Sequence, residues 1–299
     1  MGTKTKIKKI MHIFNPLAGK GQAKKIKDQL DGGNYVYMSE SADDASEFII
    51  KSCKENPDTR FTVYGGDGTV YRAVNALMKS GCNDTAQLKI VPVGSGNDFV
   101  RSFEGTKGEV SVDVMEFNGN RYGINVINMG FDCEVVRRAV NIKKSPLVSG
   151  KMAYIFGVVG ELVHKKAMDT TITLTYADGT SEIIEDQTLL IAVANAKWYG
   201  GGFHLAPTAR MDDGLLNVII VKSVNTATFI NLVGDYKKGD HIDLEKDEIK
   251  DKFKNFVYYR KCVGIKVEGC PSVCADGELF DDNVVDIKVV PKAINLYFE

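Results

Sequence analysis

The sequence predicts an α/β domain of the doubly wound type followed by a β-sandwich domain. The chain has 299 residues, which is long for one compact core, so two domains are expected. Its first third repeats a unit in which a short apolar strand runs through a glycine-rich loop into a helix. From Ser111 onward that repeat gives way to short strand-like runs separated by turn signals.

The clearest unit follows an apolar, β-branched strand at Phe61–Tyr64, and helical spacing of apolar residues resumes after Thr69. The loop between them consists of Gly65, Gly66, Asp67, Gly68 and Thr69. Such a loop leaves backbone N–H groups at the positive end of a helix, where they suit a phosphate. Asp67 would repel a bare phosphate, which indicates a bridging cation such as Mg²⁺. The alternative is a hairpin turn, since Asp-Gly is a common hairpin signal, but the helical period argues against it.

A second unit begins with a strand at Ile7–Phe14 and ends in a helix over residues 22–30. Its loop, Asn15–Gly21, contains Lys20, which would supply positive charge. The loop lacks the leading Gly and the Ser/Thr of a Walker A motif, so alone it is equally consistent with a plain turn.

A third unit runs from a buried strand at Leu88–Val91 into a glycine loop, where Asn97 and Asp98 are natural N-caps of a short helix. Three successive units predict a parallel sheet whose loops cluster at the carboxyl ends of the strands, where α/β sheets bind ligands. Asp67 and Asp98 should then face one crevice. The alternative is that Asp98 is only an N-cap.

We expect an α/β nucleotide-binding domain over residues 1–114, with residues 288–299 as a segment that could rejoin it, and a β-sandwich over residues 115–287. Two helical segments, Cys133–Lys144 and Val148–His164, interrupt the strands. The second is mostly apolar and flanked by lysines, so it either packs in the core or forms an interfacial surface. The last five residues, Asn295–Glu299, read as a tag remnant and are set aside.

Composition excludes several classes of protein. The hydrophobic fraction of 44% and charged fraction of 26% are typical of a soluble globular chain. A formal net charge of −1 gives no reason to expect nucleic acid as a partner. No signal peptide or membrane span is predicted, and the six cysteines lack paired metal-ligand spacing, so reduced thiols are expected. None of the four histidines lies in a catalytic or metal-binding pattern.

Taken together, the motifs resemble the diacylglycerol kinase catalytic-domain family, and most closely its soluble bacterial lipid kinases. The resemblance rests on motifs spread over nearly the whole chain, in order: Asn15-Pro16 with Gly19-Lys20, Gly65–Thr69, Gly94–Arg101, Tyr199–Gly202, Ala206-Pro207, Asp213–Leu216 and Asp276–Glu278. Gly-Gly-Asp-Gly-Thr alone is shared with nicotinamide-dinucleotide kinases and phosphofructokinases. The third and fourth motifs favour the lipid branch.

The resemblance implies ATP- and Mg²⁺-dependent phosphoryl transfer to a lipid hydroxyl. The residues it assigns to ATP are Asn15, Gly19, Lys20, Gly65, Gly66, Asp67, Gly68, Thr69, Gly94, Ser95 and Asn97. Those it assigns to Mg²⁺, partly through water, are Asp67, Asp98 and Asp113. Asp276 would be the general base and Glu278 would support it. Without the resemblance, Asp276-Gly277 is simply a hairpin turn.

Two departures from the family pattern stand out. Ser95 replaces a more usual Thr but keeps the hydroxyl. Some bacterial members bind a structural cation near the Asp213 turn, where this chain has Arg210. Arginine carries only donors, so our hypothesis is that Arg210 pairs with Asp213 and replaces the ion.

Diacylglycerol is the favoured acceptor, with phosphatidylglycerol, ceramide and a sphingoid base as alternatives. A nicotinamide-dinucleotide kinase and a non-catalytic nucleotide- or lipid-binding protein are the other functions considered. The family implies a cytoplasmic enzyme of phospholipid metabolism that contacts the inner face of the membrane peripherally. A homodimer is left open.

Overall fold

A computed structural model describes residues 7–15, 22–28, 35–93, 96–143 and 167–299. The chain forms two compact units, Met1–Val114 with Val290–Glu299, and Met115–Val289. It leaves the first unit within strand β5 (Gly108–Phe117) and returns to it within the last strand, β19 (Val284–Phe298). All six cysteines are described, buried and free of disulfides.

The first unit contains a parallel sheet. Its strands are β1 (Lys9–Phe14), β2 (Tyr35–Met38), β3 (Thr59–Gly65) and β4 (Gln87–Pro92), which lie in the order β4-β3-β1-β2, with the end of β19 beside β4. Every pair among them is parallel. Phe14 is aligned with Tyr64, and Gly65 with Pro92. This register brings the carboxyl ends of β1, β3 and β4 to one edge of the sheet, as the sequence predicted.

Three helices connect these strands, α1 (Gln22–Lys27), α2 (Ala42–Glu55) and α3 (Asp67–Ser80), and a short helix, α4 (Asp98–Arg101), follows β4. Helix α2 begins at Ser41, whose side chain accepts a hydrogen bond from the N–H of Asp44. Helix α3 buries an apolar face at i, i+3, i+4 and i+7, formed by Val70, Ala73, Val74 and Leu77. This burial anchors α3 on the sheet and so fixes where its first turn lies.

The second unit is built from antiparallel strands around β9 (Ser181–Ala194), which pairs with β7, β8 and β12. The other strands are β6 (Arg121–Gly123), β7 (Val126–Gly130), β8 (Met168–Thr175), β10 (Trp198–Tyr199), β11 (Phe203–His204), β12 (Leu216–Lys222), β13 (Ile242–Asp243), β14 (Glu248–Ile249), β15 (Val257–Cys262), β16 (Gly264–Glu268), β17 (Val273–Ala275) and β18 (Glu278–Phe280).

Two helices belong to this unit, α5 (Phe131–Lys143) and α6 (Thr226–Lys238), with a 3₁₀ turn at Asp251–Phe253. The sequence predicted α5 but not α6. The predicted helix Val148–His164 lies outside the described residues. Within the described ranges, no helix combines the length and apolar character needed to cross a membrane.

The end of the chain is part of the first unit's sheet. In β19, Asn295 and Leu296 align in parallel with Gln87 and Leu88, and the Leu296 side chain is fully buried. Asn295 also hydrogen-bonds to Ser111. Setting these last residues aside as a tag remnant was therefore wrong.

Candidate active site

The loop between β3 and α3 presents the open end of a helix. Strand β3 ends at Gly65 and α3 begins at Asp67, with Gly66 as N-cap and no capping side-chain hydrogen bond. The first four N–H groups of an α-helix have no partner within the helix, and the helix dipole adds positive potential there. An anionic group of a ligand is thus stabilised at this position.

Gly65 is required by the packing of its own loop. A Cβ on Gly65 would lie 2.7 Å from Cγ2 of Thr69 and in closer overlap with the Thr69 hydroxyl. A Cβ on Gly68 would meet nothing within 4 Å. The absence of a side chain on Gly65 therefore makes room for the Thr69 side chain. The absence of one on Gly68 leaves open space at the start of the helix.

A cavity lies against this loop, and we call it the α3 cavity. Its volume is about 290 Å³, just below the range for small-molecule sites, about 300–1,000 Å³. It is lined by four residues that the sequence analysis assigned to ATP, namely Asn15, Gly66, Gly68 and Thr69. Ile13, Ile49 and Val63 give it an apolar wall. The cavity thus combines phosphate-binding elements with a surface suited to a flat apolar ring.

Sequence reasoning missed three polar residues of the α3 cavity, Ser39, Ser46 and Arg72. Ser39 follows β2, and its hydroxyl donates to the carbonyl of Phe14. Arg72 lies one turn after Thr69 on α3 and pairs with Asp43 at 3.5 Å. Its spacing from the glycine loop, at i+3 from Thr69, was the available signal for a cationic side chain on the same helix face.

Asp67 and Asp98 come together beside Gly96. A Cβ on Gly96 would lie 2.9 Å from Oδ2 of Asp67 and 4.0 Å from Oδ2 of Asp98. Asp67 also accepts hydrogen bonds from the backbone N–H groups of Asp98 (3.3 Å) and Phe99 (3.1 Å), and so caps α4. Asn97, the residue before α4, adopts φ 56° and makes no capping hydrogen bond through its side chain. The cap predicted at Asn97 or Asp98 is thus supplied by Asp67.

Asp113, the third predicted magnesium ligand, lies in strand β5. Its Oδ1 accepts the backbone N–H of Lys292 at 2.7 Å, and the residue is fully buried. Among the described residues, no group of three His, Cys, Asp or Glu side chains is arranged to hold a metal ion. The assignment of Asp67, Asp98 and Asp113 to magnesium, partly through water, stays a prediction. Gly19, Lys20, Gly94 and Ser95 lie outside the described residues.

Asp276 lies at the tip of the β17–β18 hairpin in the second unit. It adopts φ 50° and Gly277 φ 95°, as a two-residue hairpin turn requires. Its carboxylate accepts three successive backbone N–H groups, from Ile124 (2.7 Å), Asn125 (3.0 Å) and Val126 (2.9 Å). These donors orient the side chain and stabilise its negative charge. Glu278 is the first residue of β18 and is half-buried.

The triple-glycine motif forms a second hairpin, between β10 and β11. Gly200, Gly201 and Gly202 all adopt positive φ (59°, 81° and 118°), which other residues rarely do. The carbonyl of Trp198 accepts the side-chain amide of Asn125 at 2.9 Å. The glycine hairpin is thereby tied to the segment that holds Asp276, a connection that sequence reasoning missed.

The hypothesis that Arg210 pairs with Asp213 is wrong. Arg210 hydrogen-bonds to Asp212, through Nε at 3.2 Å and Nη2 at 3.4 Å. Oδ1 of Asp213 accepts the backbone N–H of Leu215 at 3.0 Å and so closes its own turn. Asp212 and Asp213 are adjacent in sequence. Arg210 hydrogen-bonds to Asp212, while Asp213 accepts the backbone hydrogen bond that closes the turn.

Comparisons with known proteins identify the family and the fold of the chain. Residues 9–128 match the family described as diacylglycerol kinase catalytic domain, and residues 125–298 match the YegS C-terminal NAD kinase beta sandwich-like domain. A diacylglycerol kinase of Mycobacterium tuberculosis (strain CDC 1551 / Oshkosh) is 29% identical over 314 residues, covering 97% of this chain and 95% of the relative. A YegS-like lipid kinase of Shewanella frigidimarina is 27% identical over 274 residues, covering 87% of this chain and 82% of the relative.

A crystal structure of a diacylglycerol kinase from Bacillus anthracis str. Sterne shares the fold, with a TM-score of 0.70 at 21% identity over 99% of this chain and 98% of that one. The predicted fold class, an α/β domain followed by a β-sandwich, is therefore confirmed. The predicted resemblance is confirmed as well. The chain belongs to the diacylglycerol kinase catalytic-domain family and is a lipid kinase.

Proposed function

We propose that this lipid kinase transfers the γ-phosphoryl group of ATP, with Mg²⁺, to the hydroxyl of diacylglycerol and so forms phosphatidic acid. The observation that supports the proposal is the loop at the start of α3. Its Gly66, Gly68 and Thr69 line the α3 cavity, and its Asp67 lies beside Asp98. The name of the M. tuberculosis relative favours diacylglycerol as the acceptor.

The nucleotide would bind with its phosphates at the start of α3 and its base against the apolar wall. Backbone N–H groups of Gly66, Asp67 and Gly68 would hold phosphate oxygens, since the N–H of Thr69 donates to the Gly66 carbonyl at 2.8 Å. Arg72 adds a positive charge on the same helix. Phosphoryl transfer depends mainly on positioning and on neutralising charge, so these contacts supply what the reaction needs from the donor side.

The Asp67–Asp98 pair fits a magnesium ion. The two Oδ2 atoms converge on the space beside Gly96, where a side chain would intrude, and carboxylate oxygens are the ligands Mg²⁺ prefers. When bound, the ion would neutralise charge on the phosphates. Asp98 also pairs with Arg101 at 3.4 Å, which holds its carboxylate in place.

Asp276 would accept the proton of the lipid hydroxyl. As the hydroxyl oxygen forms its bond to phosphorus, the bond between the γ-phosphorus and the ADP oxygen breaks, and the proton passes to the carboxylate. The three N–H donors from residues 124–126 orient the Asp276 carboxylate for this step. Glu278 would support it from β18.

Kinetics of an Asp276→Asn variant on a short-chain diacylglycerol test the proposal. The amide keeps the shape but cannot take the proton, so kcat should fall about 10²–10⁴-fold. The KM for ATP should change little, because the proposed role of Asp276 is to contact the lipid hydroxyl and not the nucleotide. An Asp281→Asn variant, altered at an exposed carboxylate nearby in sequence, is the control. Unchanged kcat in Asp276→Asn would reject Asp276 as the base.

A further inference from the structure

The backbone bends at Ile124 and Asn125, between β6 and β7, and this bend presents the N–H groups that the Asp276 carboxylate accepts. In an extended strand, successive N–H groups point to opposite sides, so three in a row can meet one carboxylate only where the chain leaves the extended conformation. The N–H of Asp276 donates in return to the Val126 carbonyl at 3.0 Å. The position of the Asp276 carboxylate therefore depends on what holds this bend.

Two buried asparagines hold the bend. The side-chain amide of Asn125 donates to the carbonyl of Trp198 at 2.9 Å. In the opposite direction, the side-chain amide of Asn195 donates to the carbonyl of Ile124 at 2.9 Å. Asn125 is 6% exposed and Asn195 is fully buried. Each asparagine thus reaches from its own segment to a backbone carbonyl of the other, and we call Asn125 and Asn195 the asparagine clamp.

Backbone hydrogen bonds reinforce the asparagine clamp. The pairing of β7 with β9 ends at Val126 and Ala194. Beyond this pair, the carbonyl of Asn125 accepts the N–H of Asn195 at 3.0 Å and the N–H of Ala196 at 3.2 Å. The side-chain and backbone bonds together join the bend to the chain that leads into the glycine hairpin.

Both positions of the clamp require an amide. The two acceptors are backbone carbonyl oxygens, which carry no proton, so the side chain must donate. Leucine has a similar shape but no donor, and at position 195 it would deprive the Ile124 carbonyl of this bond. An ionised aspartate has the same shape but only accepts, so it would place a negative charge against the carbonyl. Neither replacement can support the bend.

We propose that Asn125 and Asn195 are positioning residues of the kinase reaction, which act by holding the bend that orients the Asp276 carboxylate. Asn125 contributes its backbone N–H to Asp276 and its side chain to the clamp, whereas Asn195 acts only through the bend. The part that the two asparagines play in the reaction rests on the proposed function. Their support of the bend does not.

Hydrogen exchange tests the asparagine clamp without requiring kinase activity. Peptides covering residues 121–130 are followed by mass spectrometry in the unaltered protein and in Asn195→Leu. We expect the N–H groups of residues 124–126 to exchange at least about 5-fold faster in the variant, because the bend loses a buried hydrogen bond. Thr170→Val is the matched control, since Thr170 is 4% exposed and its hydroxyl donates to the Asp186 carbonyl at 3.2 Å. It should leave the exchange of residues 124–126 unchanged.

Kinetics of the same variants test the positioning role. In Asn195→Leu, kcat should fall about 10²-fold, as for a misplaced reacting group, while the KM for ATP changes little. Asn195→Asp adds a readout that a merely structural role would not move. Between about pH 8 and about pH 6 its buried carboxyl should become protonated and able to donate to Ile124, so its kcat relative to the unaltered protein should rise. That ratio should stay constant for Asn195→Leu. Thermal melting checks that each variant is folded.

Three results would overturn the proposal: unchanged exchange of residues 124–126 in Asn195→Leu, faster exchange there with unchanged kcat, or an equal loss of kcat in Thr170→Val. A constant kcat ratio for Asn195→Asp would reject the amide as a donor. Failure of the proposed function is distinguishable, because it appears as absence of lipid labelling by the unaltered protein. The exchange rates then still decide whether the asparagine clamp holds the bend.

Discussion

At the residue scale, Gly65 and Gly68 of the same loop have different roles, the first in packing and the second in the α3 cavity. A side chain on Gly65 would overlap Thr69, whereas one on Gly68 would enter open space that lines the α3 cavity. We expect Gly65→Ala to destabilise the protein by about 1–3 kcal/mol. Gly68→Ala should keep its stability, since alanine favours helix, but weaken ATP binding. Urea unfolding and ATP titration of both variants measure this contrast.

Two outcomes would contradict this account. If Gly65→Ala bound ATP normally with full stability, the loop would not need that glycine. If Gly68→Ala bound ATP as tightly as the unaltered protein, the phosphates would lie elsewhere.

His241 makes stability depend on pH. Its Nε2 is bonded to the carbonyl of Leu205 at 2.9 Å, its Nδ1 is buried without a described partner, and burial lowers its pKa to about 4. The folded state therefore favours the neutral ring. Its stabilising effect is complete above the unfolded pKa of about 6.5 and is lost as pH falls toward 4.

A His241→Gln variant should remove this dependence. We expect the free-energy difference between the unaltered protein and the variant to shrink by about 2 kcal/mol from pH 7.5 to 5. Urea unfolding at both values measures it. Comparing the two proteins matters because Asp132, whose pKa is raised to about 6, changes stability in the opposite direction over part of the same range. A difference that stays constant with pH would show that His241 has the same pKa in the folded and unfolded states, and would contradict this prediction.

Interactions between residues close in sequence could be predicted, whereas those between residues far apart in sequence could not. The turn at Asp276-Gly277 was evident from the sequence, because the dipeptide itself favours the conformation. Its three N–H donors lie about 150 residues earlier, from Ile124 (152 residues away) to Val126 (150 residues away). Only the register of β7 against β17 brings them together. No local pattern encodes that register, and the role of Asp276 came from the family resemblance.

At the scale of elements, the last strand, β19, is part of the core of the first unit although its final residues were set aside in the sequence analysis. Leu296 is fully buried and aligned with Leu88 of β4. We expect Leu296→Ala to cost about 2–5 kcal/mol. Leu244→Ala, at a leucine that is 65% exposed, should cost less than about 0.5 kcal/mol. Urea unfolding compares the two, and equal stabilities would mean that β19 is not part of the core.

Helices with a regularly spaced apolar face could be predicted from the sequence, but α6 could not. Helix α3 has apolar residues at regular helical spacing and a glycine at φ 73° after its end. Helix α6 begins at Asn225, whose side chain caps Thr228, but only Tyr236 of its residues is fully buried. Its weak apolar face explains why periodicity did not reveal it, although the asparagine cap was visible.

At the scale of the molecule, the fold class followed from the change in pattern near residue 115. Repeated strand–loop–helix units require a parallel sheet, and closely spaced strands with Asp-Gly and Asn-Gly turns require an antiparallel one. The pairing partners of individual strands did not follow. The position of β9 among β7, β8 and β12, for example, rests on long-range contacts.

The measurement that tests the central claim most directly is transfer of labelled γ-phosphate from ATP, with Mg²⁺, to acceptors in mixed detergent micelles. The panel contains diacylglycerol, phosphatidylglycerol, ceramide, sphingosine and nicotinamide dinucleotide, each with the unaltered protein and with Asp276→Asn. The account predicts labelled phosphatidic acid that requires Mg²⁺ and falls about 10²–10⁴-fold in the variant. Label only in the dinucleotide, no label in any lipid, or equal lipid labelling by Asp276→Asn would contradict it.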